Sequence, residues 1–137
     1  MKKRCLVIVV LLIMSPKIFG QEMQIIEGNV YYNKIPITAS MAVNQSMAVS
    51  PVAHSYFQKA MVIRRWNIGL GIFGGYEAIF GTLGALYNPD PMIRQFSLLD
   101  IGIGGVCLGI IPSREKRRML YLRQGVKAYN EAFIEER

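Results

Sequence analysis

Two apolar, glycine-rich runs joined by a short loop constrain this chain more than any other feature. Residues 69–86 read GLGIFGGYEAIFGTLGAL, with six glycines and a single charge, Glu77. Residues 97–111 read SLLDIGIGGVCLGII, and the turn-forming stretch NPDP at residues 88–91 separates the two runs. A short connection makes consecutive helices antiparallel neighbours. We therefore predict a mainly α fold based on an antiparallel transmembrane hairpin, with membrane segments at about residues 66–87 and 97–111.

The small residues of both runs recur at spacings of three and four, and each run contains a literal GxxxG. In lipid no hydrophobic driving force brings two helices together, so close backbone approach has to supply the association. In a water-exposed helix each glycine would cost roughly 1 kcal/mol relative to alanine. Packing within one hairpin and packing against a second copy both satisfy the pattern. The predicted helix-packing residues are Gly71, Gly74, Gly75, Ala78, Gly81, Ala85, Gly102, Gly105 and Gly109.

The first 20 residues have the layout of a secretory signal peptide, with a basic start, the apolar core CLVIVVLLIM and a short exit ending in Gly20. We expect cleavage before Gln21, with retention as an N-terminal anchor as the alternative. Cleavage removes four of the 16 lysine and arginine residues and none of the nine acids, so the net charge falls from +7 to +3. Nucleic-acid binding, which requires a basic face, is therefore not expected. Cys107 is the one cysteine left, which excludes an intramolecular disulfide.

Residues 21–50 are predicted to form a short exported segment ahead of the hairpin. Residues 21–38 are rich in β-branched and aromatic residues and contain the turn-forming pairs GN and NK, so we expect a two-stranded β-ribbon. Residues 39–49 favour a weak helix. Ser50 and Pro51 then provide an N-cap and a first helical residue, and nothing interrupts the helical pattern from there to the loop.

The tail after Pro112 carries apolar residues at alternating gaps of three and four, a heptad-like pattern on an otherwise charged helix. We predict that the second run ends at Pro112 and that amphipathic helices extend both ends of the hairpin and face each other. The alternative is that each lies alone on the membrane surface. The tail residues are Met119, Leu122, Val126, Tyr129 and Phe133, and their counterparts before the first run are Val49, Val52, Tyr56, Ala60 and Ile63.

The two acids in the apolar runs have a functional and a structural interpretation. An acid inside a membrane span is a candidate for a proton or ion path, and Glu77 is the residue placed there. The structural interpretation gives Glu77 a polar partner or a protonated state and makes Asp100 a helix cap near the loop. With the loop centred near Met92, Asp100 would lie level with Gly84 and about 10 Å from the depth of Glu77. The two acids are therefore not expected to form a catalytic carboxylate pair.

Basic residues flank the outer ends of the two runs and are expected to contact lipid headgroups. The positive-inside rule would place both ends in the cytoplasm, whereas a cleaved signal peptide would place them on the exported side. Both runs are marginal in length or apolarity for insertion, so we expect the signal peptide to decide the orientation. The headgroup-contacting residues are Arg64, Arg65, Arg114, Lys116, Arg117 and Arg118.

Two short motifs around the hairpin carry a resemblance. Residues 51–60 read PVAHSYFQKA and residues 122–130 read LRQGVKAYN. Together with the glycine-rich hairpin they resemble a group of small exported bacterial membrane proteins. That group has a proline-alanine-aromatic-lysine-alanine helix, a glycine-rich double span and a closing Gly-Val-x-x-Tyr-Asn. The resemblance covers residues 51–130 without the N-terminal ribbon, and it implies an architecture but no mechanism.

The residue inventory gives little support to enzymatic chemistry. His54 is the single histidine, so a metal cluster or a Ser/His triad has almost nothing to be built from. We expect no cofactor and no metal. The predicted function is a non-enzymatic structural or accessory scaffold of the cell envelope, whose partners are membrane lipid and either a second copy or another envelope protein. The alternative is an oligomeric pore or small transport component that uses the glycine faces and Glu77.

Overall fold

The computed structural model describes residues 22–135, which form a small antiparallel sheet followed by three helices. The strands are β1 (Met23–Ile26), β2 (Asn29–Tyr32) and β3 (Ile35–Ile37), and the helices are α1 (Ala39–Val49), α2 (Pro51–Tyr87) and α3 (Pro91–Glu135). The predicted mainly α fold with a long helical hairpin is confirmed. The predicted signal peptide, residues 1–20, lies outside the described residues.

The sheet contains one strand more than the predicted two-stranded ribbon. Its order is β1-β2-β3, and both pairs of neighbours are antiparallel, with Met23 opposite Tyr32 in the first pair. Both connections are two-residue turns with positive φ angles, the backbone that tight hairpin turns need. These residues are Glu27 (φ 50°), Gly28 (82°), Asn33 (50°) and Lys34 (66°). Two turns separate three strands, so the predicted strand number is wrong, and the first turn lies one residue earlier than the GN pair.

Hydroxyl side chains begin the first two helices. Thr38 Oγ1 accepts a hydrogen bond from the backbone N–H three residues later at 3.3 Å, and Ser50 Oγ accepts one from Ala53 N at 3.2 Å. Pro51 occupies the first position of α2, where the N–H that it lacks would have had no helical partner. The predicted helix over residues 39–49 and the predicted helix start at Ser50-Pro51 are both confirmed.

The third helix begins at a carboxylate in the loop. Asp90 Oδ1 accepts a hydrogen bond from Met92 N at 2.8 Å, and the Asp90 carbonyl accepts one from Arg94 N at 3.0 Å. This is the geometry of an N-cap. Asp100 lies well inside α3, so its predicted capping role is wrong and Asp90 has that role.

Helix α3 continues through Pro112, where the second run was predicted to end. A proline inside a helix costs about 3 kcal/mol because it lacks an N–H and crowds the carbonyl four residues earlier. Ser113 Oγ donates a hydrogen bond to the Ile110 carbonyl at 2.9 Å in the turn that contains the proline. The helix is packed against α2 on both sides of the proline, near Cys107 and near Leu122. This packing outweighs the local penalty of the proline.

The sheet, α1 and helical residues 51–65 and 114–135 pack together, and we call this unit the head. Its buried hydrophobic core contains residues of the sheet and of all three helices. The amphipathic stretches before and after the apolar hairpin therefore face each other, as predicted. The core consists of Met23, Val30, Ala42, Val43, Ala53, Phe57, Ala60, Leu122 and Tyr129, with Met119 and Val126 packed against it.

On α2 the buried face of the head matches the predicted stripe only in part, since Ala60 is buried as predicted and other buried positions lie one residue further along. Ala53 and Phe57 are buried, whereas Val52 is 57% exposed. Phe57 packs against Gly125 of α3, where a Cβ would lie 3.0 Å from the Phe57 ring. The absence of a side chain at Gly125 makes the room in which the Phe57 ring packs.

Two side chains tie the sheet and α1 to the long helices. The Asn130 side-chain amide accepts a hydrogen bond from Met23 N and donates one to Met23 O, both at 3.0 Å, as a further strand would on that edge of β1. His54 Nδ1 lies 3.0 Å from the Val43 carbonyl and connects α2 to α1. The short motifs that carry the sequence resemblance therefore supply contacts within the head.

Burial raises the pKa of the Tyr129 phenol to about 12, with a smaller contribution from Tyr32. The two rings meet edge to face with centroids 6.5 Å apart, and Tyr129 is 1% exposed. Between pH 10 and pH 12 the unfolded chain has released a proton that the folded head still holds. The contribution of this group to the free energy of unfolding is therefore complete below pH 10 and falls as the pH rises towards 12.

We predict that the free energy of unfolding of the head decreases by up to about 2–3 kcal/mol across this pH range because of Tyr129. Tyr129→Phe should lack this part of the decrease, since phenylalanine cannot ionise. Thermal unfolding of both forms in neutral detergent, followed by circular dichroism from about pH 9 to pH 12, measures the difference. Parallel pH profiles for the two proteins would contradict the prediction.

Candidate functional site

A layer of polar side chains lies between α2 and α3 at the point where the head ends and the apolar hairpin begins. We call Asn67, Arg114, Glu115 and Arg118 the polar layer. Asn67 belongs to α2 and the other three belong to α3, within two helical turns after Pro112. Asn67 is 9% exposed, so its amide depends on protein partners for its hydrogen bonds.

The Asn67 amide bridges two oppositely charged side chains. Its Nδ2 donates a hydrogen bond to Glu115 Oε2 at 3.2 Å, and its Oδ1 accepts one from Arg114 Nε at 3.2 Å. The Glu115 carboxylate also accepts a hydrogen bond from Arg118 Nε at 2.6 Å. Both ends of the amide are therefore used in the orientation that its donor and acceptor require.

The polar layer places a net positive charge where the head meets the apolar hairpin. The Arg118 side chain is 17% exposed and the Glu115 side chain 42%, so their ion pair is partly withdrawn from water. Charge-assisted hydrogen bonds are stronger than neutral ones, and a bridging amide holds the two helices in one register. The layer contains two arginines and one carboxylate and therefore keeps an excess of positive charge.

A cavity of about 300 Å³ opens beside the polar layer, lined by Asn29, Arg64, Asn67, Ile68, Glu115 and Arg118. Asn29, the first residue of β2, forms one wall. The turn residue before it, Gly28, lies near α3: a Cβ on Gly28 would make ordinary contacts, 3.6 Å from Met119 Sδ and 4.0 Å from Arg118 Nη2. The positive φ of 82° at Gly28 is readily available only to glycine. The cavity is thus built from the sheet, α2 and α3 together.

The glycines predicted to pack fall into two groups. Gly74 and Gly81 are in close contact with α3: a Cβ on Gly74 would lie 2.9 Å from Cys107 Cβ, and one on Gly81 would lie 2.7 Å from the Ser97 carbonyl. Gly71 makes one ordinary contact, at 3.8 Å from Ile111. Gly75, Gly102, Gly105 and Gly109 have nothing within 4 Å of such a Cβ. The first GxxxG pair therefore has only Gly71 near the partner helix, and both glycines of the second pair, Gly105 and Gly109, lie on the outer surface.

The closest contacts also involve two glycines outside the predicted set. A Cβ on Gly104 would lie 2.6 Å from the Gly74 carbonyl and 3.1 Å from Ala78 Cβ, so the predicted Ala78 is on the contact face. Gly84 faces Ser97: a Cβ on Gly84 would lie 3.1 Å from the Ser97 Cβ. Ala85 is half-buried. The packing face can be recognised by the spacing of Gly74, Ala78 and Gly81, but spacing alone leaves its partner face on α3 undetermined.

The two acids of the apolar runs lie closer in depth than predicted. Asp100 is beside Gly81, with its Cβ 3.0 Å from the position of a Gly81 Cβ, and not level with Gly84. Four residues of α2 therefore separate its depth from that of Glu77, about 6 Å instead of 10 Å. The reason is that α2 ends at Tyr87 and α3 begins at Pro91, so the loop is centred on Pro89, before Met92. Both acids are half-buried.

The six basic residues predicted to contact headgroups all lie near the junction, but they differ in their surroundings. Arg114 and Arg118 are half-buried members of the polar layer. The exposed members are Arg64, Arg65, Lys116 and Arg117. Arg64 lines the cavity and makes no hydrogen bond or ion pair with any residue from 22 to 135.

Asn67, Glu115 and Asn29 are members of the site that the sequence patterns did not single out. In the sequence, Asn67 is an amide at the start of an apolar run, and Glu115 is the one acid in a basic cluster. Asn29 reaches the site only through the fold of the sheet. Among residues 22–135, no group of three or more histidine, cysteine, aspartate or glutamate side chains is arranged to hold a metal ion.

Comparisons of the chain with protein families, with curated proteins and with solved structures return no match.

The two groups of glycines predict opposite responses to the same substitution. Gly81→Ala should destabilise the hairpin by about 1–3 kcal/mol, because the new methyl group meets backbone atoms of α3 and overpacks the contact. Gly75→Ala should be neutral or stabilising by up to about 1 kcal/mol, because alanine favours helix and the site is open. Unfolding of both variants by increasing mole fractions of sodium dodecyl sulfate compares them. Greater destabilisation by Gly75→Ala would instead indicate packing of that face against a second copy.

Asn67→Ala should destabilise the protein by about 1–3 kcal/mol, because Glu115 and Arg114 each lose a hydrogen-bond partner at a partly buried position. Asn44→Ala is the matched control, since Asn44 is exposed on α1 and makes no hydrogen bond within residues 22–135. Thermal unfolding midpoints in detergent provide the measurement. If the two variants have the same midpoint, the bridging amide contributes nothing to stability.

Proposed function

We propose that the chain is a non-enzymatic membrane scaffold of the cell envelope. In this proposal the apolar hairpin anchors the protein and the head lies at one membrane surface, where it contacts lipid headgroups and another protein or a second copy. The main support is the surface of the two long helices. Each contains an 18-residue apolar window with only 11% of its residues buried, and the windows have mean hydropathies of 1.2 and 1.7.

This degree of exposure distinguishes the hairpin from a soluble helical core. A soluble core helix can be equally long and apolar, but most of its surface is buried by the rest of the protein. Here the large side chains on the outside of the hairpin are exposed, among them Ile72 at 72%, Ile79 at 61% and Leu98 at 58%. In water this surface would far exceed the apolar patch that a monomer tolerates. Lipid is the solvent that suits it.

The length of the exposed section agrees with a bilayer. Trp66 is 61% exposed at the head end of the section and Tyr87 is 79% exposed at the loop end. Twenty-one residues of helix separate them, about 32 Å at 1.5 Å per residue, and the hydrocarbon core of a bilayer is about 30 Å thick. Tryptophan and tyrosine are enriched at the two membrane-water interfaces. These two residues therefore support one interface at the polar layer and the other at the loop.

The orientation belongs to the proposal as well. The described chain begins and ends in the head, so both ends lie on the same side of the hairpin. The predicted signal peptide favours the exported side, while the basic residues around the junction favour the cytoplasm by the positive-inside rule. We propose the exported side, because single hairpin segments of marginal apolarity follow the topology set by the preceding signal. The basic residues then contact the anionic lipids of that surface.

A scaffold requires only surfaces that a single chain already has. The pore alternative requires several copies arranged around Glu77, which lies near the middle of the exposed section and is half-buried in the single chain. A carboxylate at that depth is costly whether or not it conducts. We therefore give the scaffold as the proposed function.

Two equally exposed positions test membrane integration. Ile79 is 61% exposed in the hairpin and Val52 is 57% exposed in the head. An arginine at the centre of a membrane helix costs about 2.5–3.5 kcal/mol, so Ile79→Arg should move much of the protein into the carbonate-soluble fraction. Val52→Arg should remain in the carbonate-resistant membrane pellet with the unchanged protein.

Release of the unchanged protein by carbonate would contradict the proposal directly. Equal behaviour of the two arginine variants would also contradict it, because it would mean that both positions face the same solvent.

A further inference from the structure

One positively charged side chain at the cavity beside the polar layer, that of Arg64, makes no hydrogen bond or ion pair with residues 22–135. Two guanidinium groups, those of Arg64 and Arg118, and the Glu115 carboxylate line the cavity, and a third guanidinium, that of Arg114, lies behind the lining residue Asn67. Arg114 is hydrogen-bonded to Asn67 and Arg118 to Glu115. Arg64 has no partner among residues 22–135. These three guanidinium groups and one carboxylate therefore carry a net charge of +2. The guanidinium without a partner, that of Arg64, lies at the cavity wall.

Two further hydrogen-bond donors at the cavity also suit an anion. Asn29 brings a side-chain amide from the sheet. Arg118 uses Nε and Nη2 on Glu115 and Met119, and its Nη1 is the guanidinium nitrogen left for a ligand. Arginine guanidinium groups match the geometry of phosphate oxygens, with several N–H donors in a fixed plane. A volume of about 300 Å³ is at the lower end of the range for small-molecule sites. These features together favour a small, compact anion.

The position of the cavity along the hairpin narrows the source of that anion. Arg64, Asn67 and Ile68 lie within two residues of Trp66, the aromatic residue at the head end of the exposed section. This is the depth at which lipid phosphates would lie if the hairpin crosses a bilayer. We propose that the cavity binds one phosphate ester anion, supplied by the headgroup of an anionic phospholipid. The choice of lipid as the source rests on the proposed membrane function.

Trp66 provides the signal for a test, since it is the single tryptophan of the chain and is next to Asn67. The full-length protein in neutral detergent is titrated with dioctanoyl phosphatidylglycerol and, separately, with inorganic phosphate, at about 0.15 M ionic strength held constant with chloride. Screening at this ionic strength suppresses diffuse attraction to exposed charges. We expect a saturable change in Trp66 fluorescence that fits one site.

Arg64→Gln is compared with Arg65→Gln. Both substitutions remove one positive charge from neighbouring exposed residues of α2, but only Arg64 lines the cavity. We expect Arg64→Gln to weaken the apparent affinity about tenfold, the loss of a charge-assisted hydrogen bond, and Arg65→Gln to weaken it less than twofold. Because Arg64 is exposed and has no partner within residues 22–135, the variant should keep the circular dichroism spectrum of the unchanged protein.

The outcomes separate the two proposals. Saturable binding of the lipid with the expected arginine difference supports the inference, and saturable binding of inorganic phosphate supports a site for the phosphate group itself. Equal weakening by both substitutions, or a signal that does not saturate, overturns it in favour of diffuse surface charge. The phosphate titration needs no bilayer, so the cavity can pass or fail independently of carbonate extraction. Binding of phosphate but not of the lipid would keep the anion site and overturn the lipid as its source.

Discussion

Backbone contact between α2 and α3 is the constraint on which the rest of the structure depends. At Gly74, Gly81 and Gly104 the two helices approach so closely that a single methyl group would meet the opposite backbone. Such a contact permits very little sliding, because a shift along the helix would place a side chain where a glycine now lies. The register set inside the hairpin therefore continues into the head. It places Asn67 opposite Glu115 and, further along, Phe57 opposite Gly125.

The polar layer and the head can be understood as consequences of this register. The Asn67 amide bridges Glu115 and Arg114 only because α2 and α3 meet at that level. Beyond it, the helices carry the core against which the sheet and α1 pack. A three-stranded sheet of this size has little stability alone. It acquires its stability from the buried core and from the Asn130 amide, which satisfies the backbone of Met23 at the edge of β1.

Much of this architecture follows from sequence patterns, and the differences have specific causes. The helix start at Ser50-Pro51 and the loop are local signals, because a cap or a turn depends on a few neighbouring residues. The division of the glycines into a contact face and an outer face is not local. Gly74 and Gly75 are adjacent, yet one touches α3 and the other touches nothing. The choice depends on the rotation of each helix about its axis, which the partner helix determines. Likewise Pro112 stops a lone helix, whereas packing on both sides carries α3 through it.

Sequence patterns do not predict the candidate site, because each of its residues has an ordinary local role in the sequence. Asn29 is a turn-forming residue, Asn67 begins an apolar run and Glu115 is one acid among bases. What joins them is the boundary between two environments. A partly buried charge needs partners, and at the end of an apolar hairpin those partners come from the other helix or from the solvent interface. The pairing of Glu115 with Asn67 and Arg118 leaves Arg64 as the cation of the cavity lining that has no partner among the described residues. An interface rich in phosphate is the environment that would supply one.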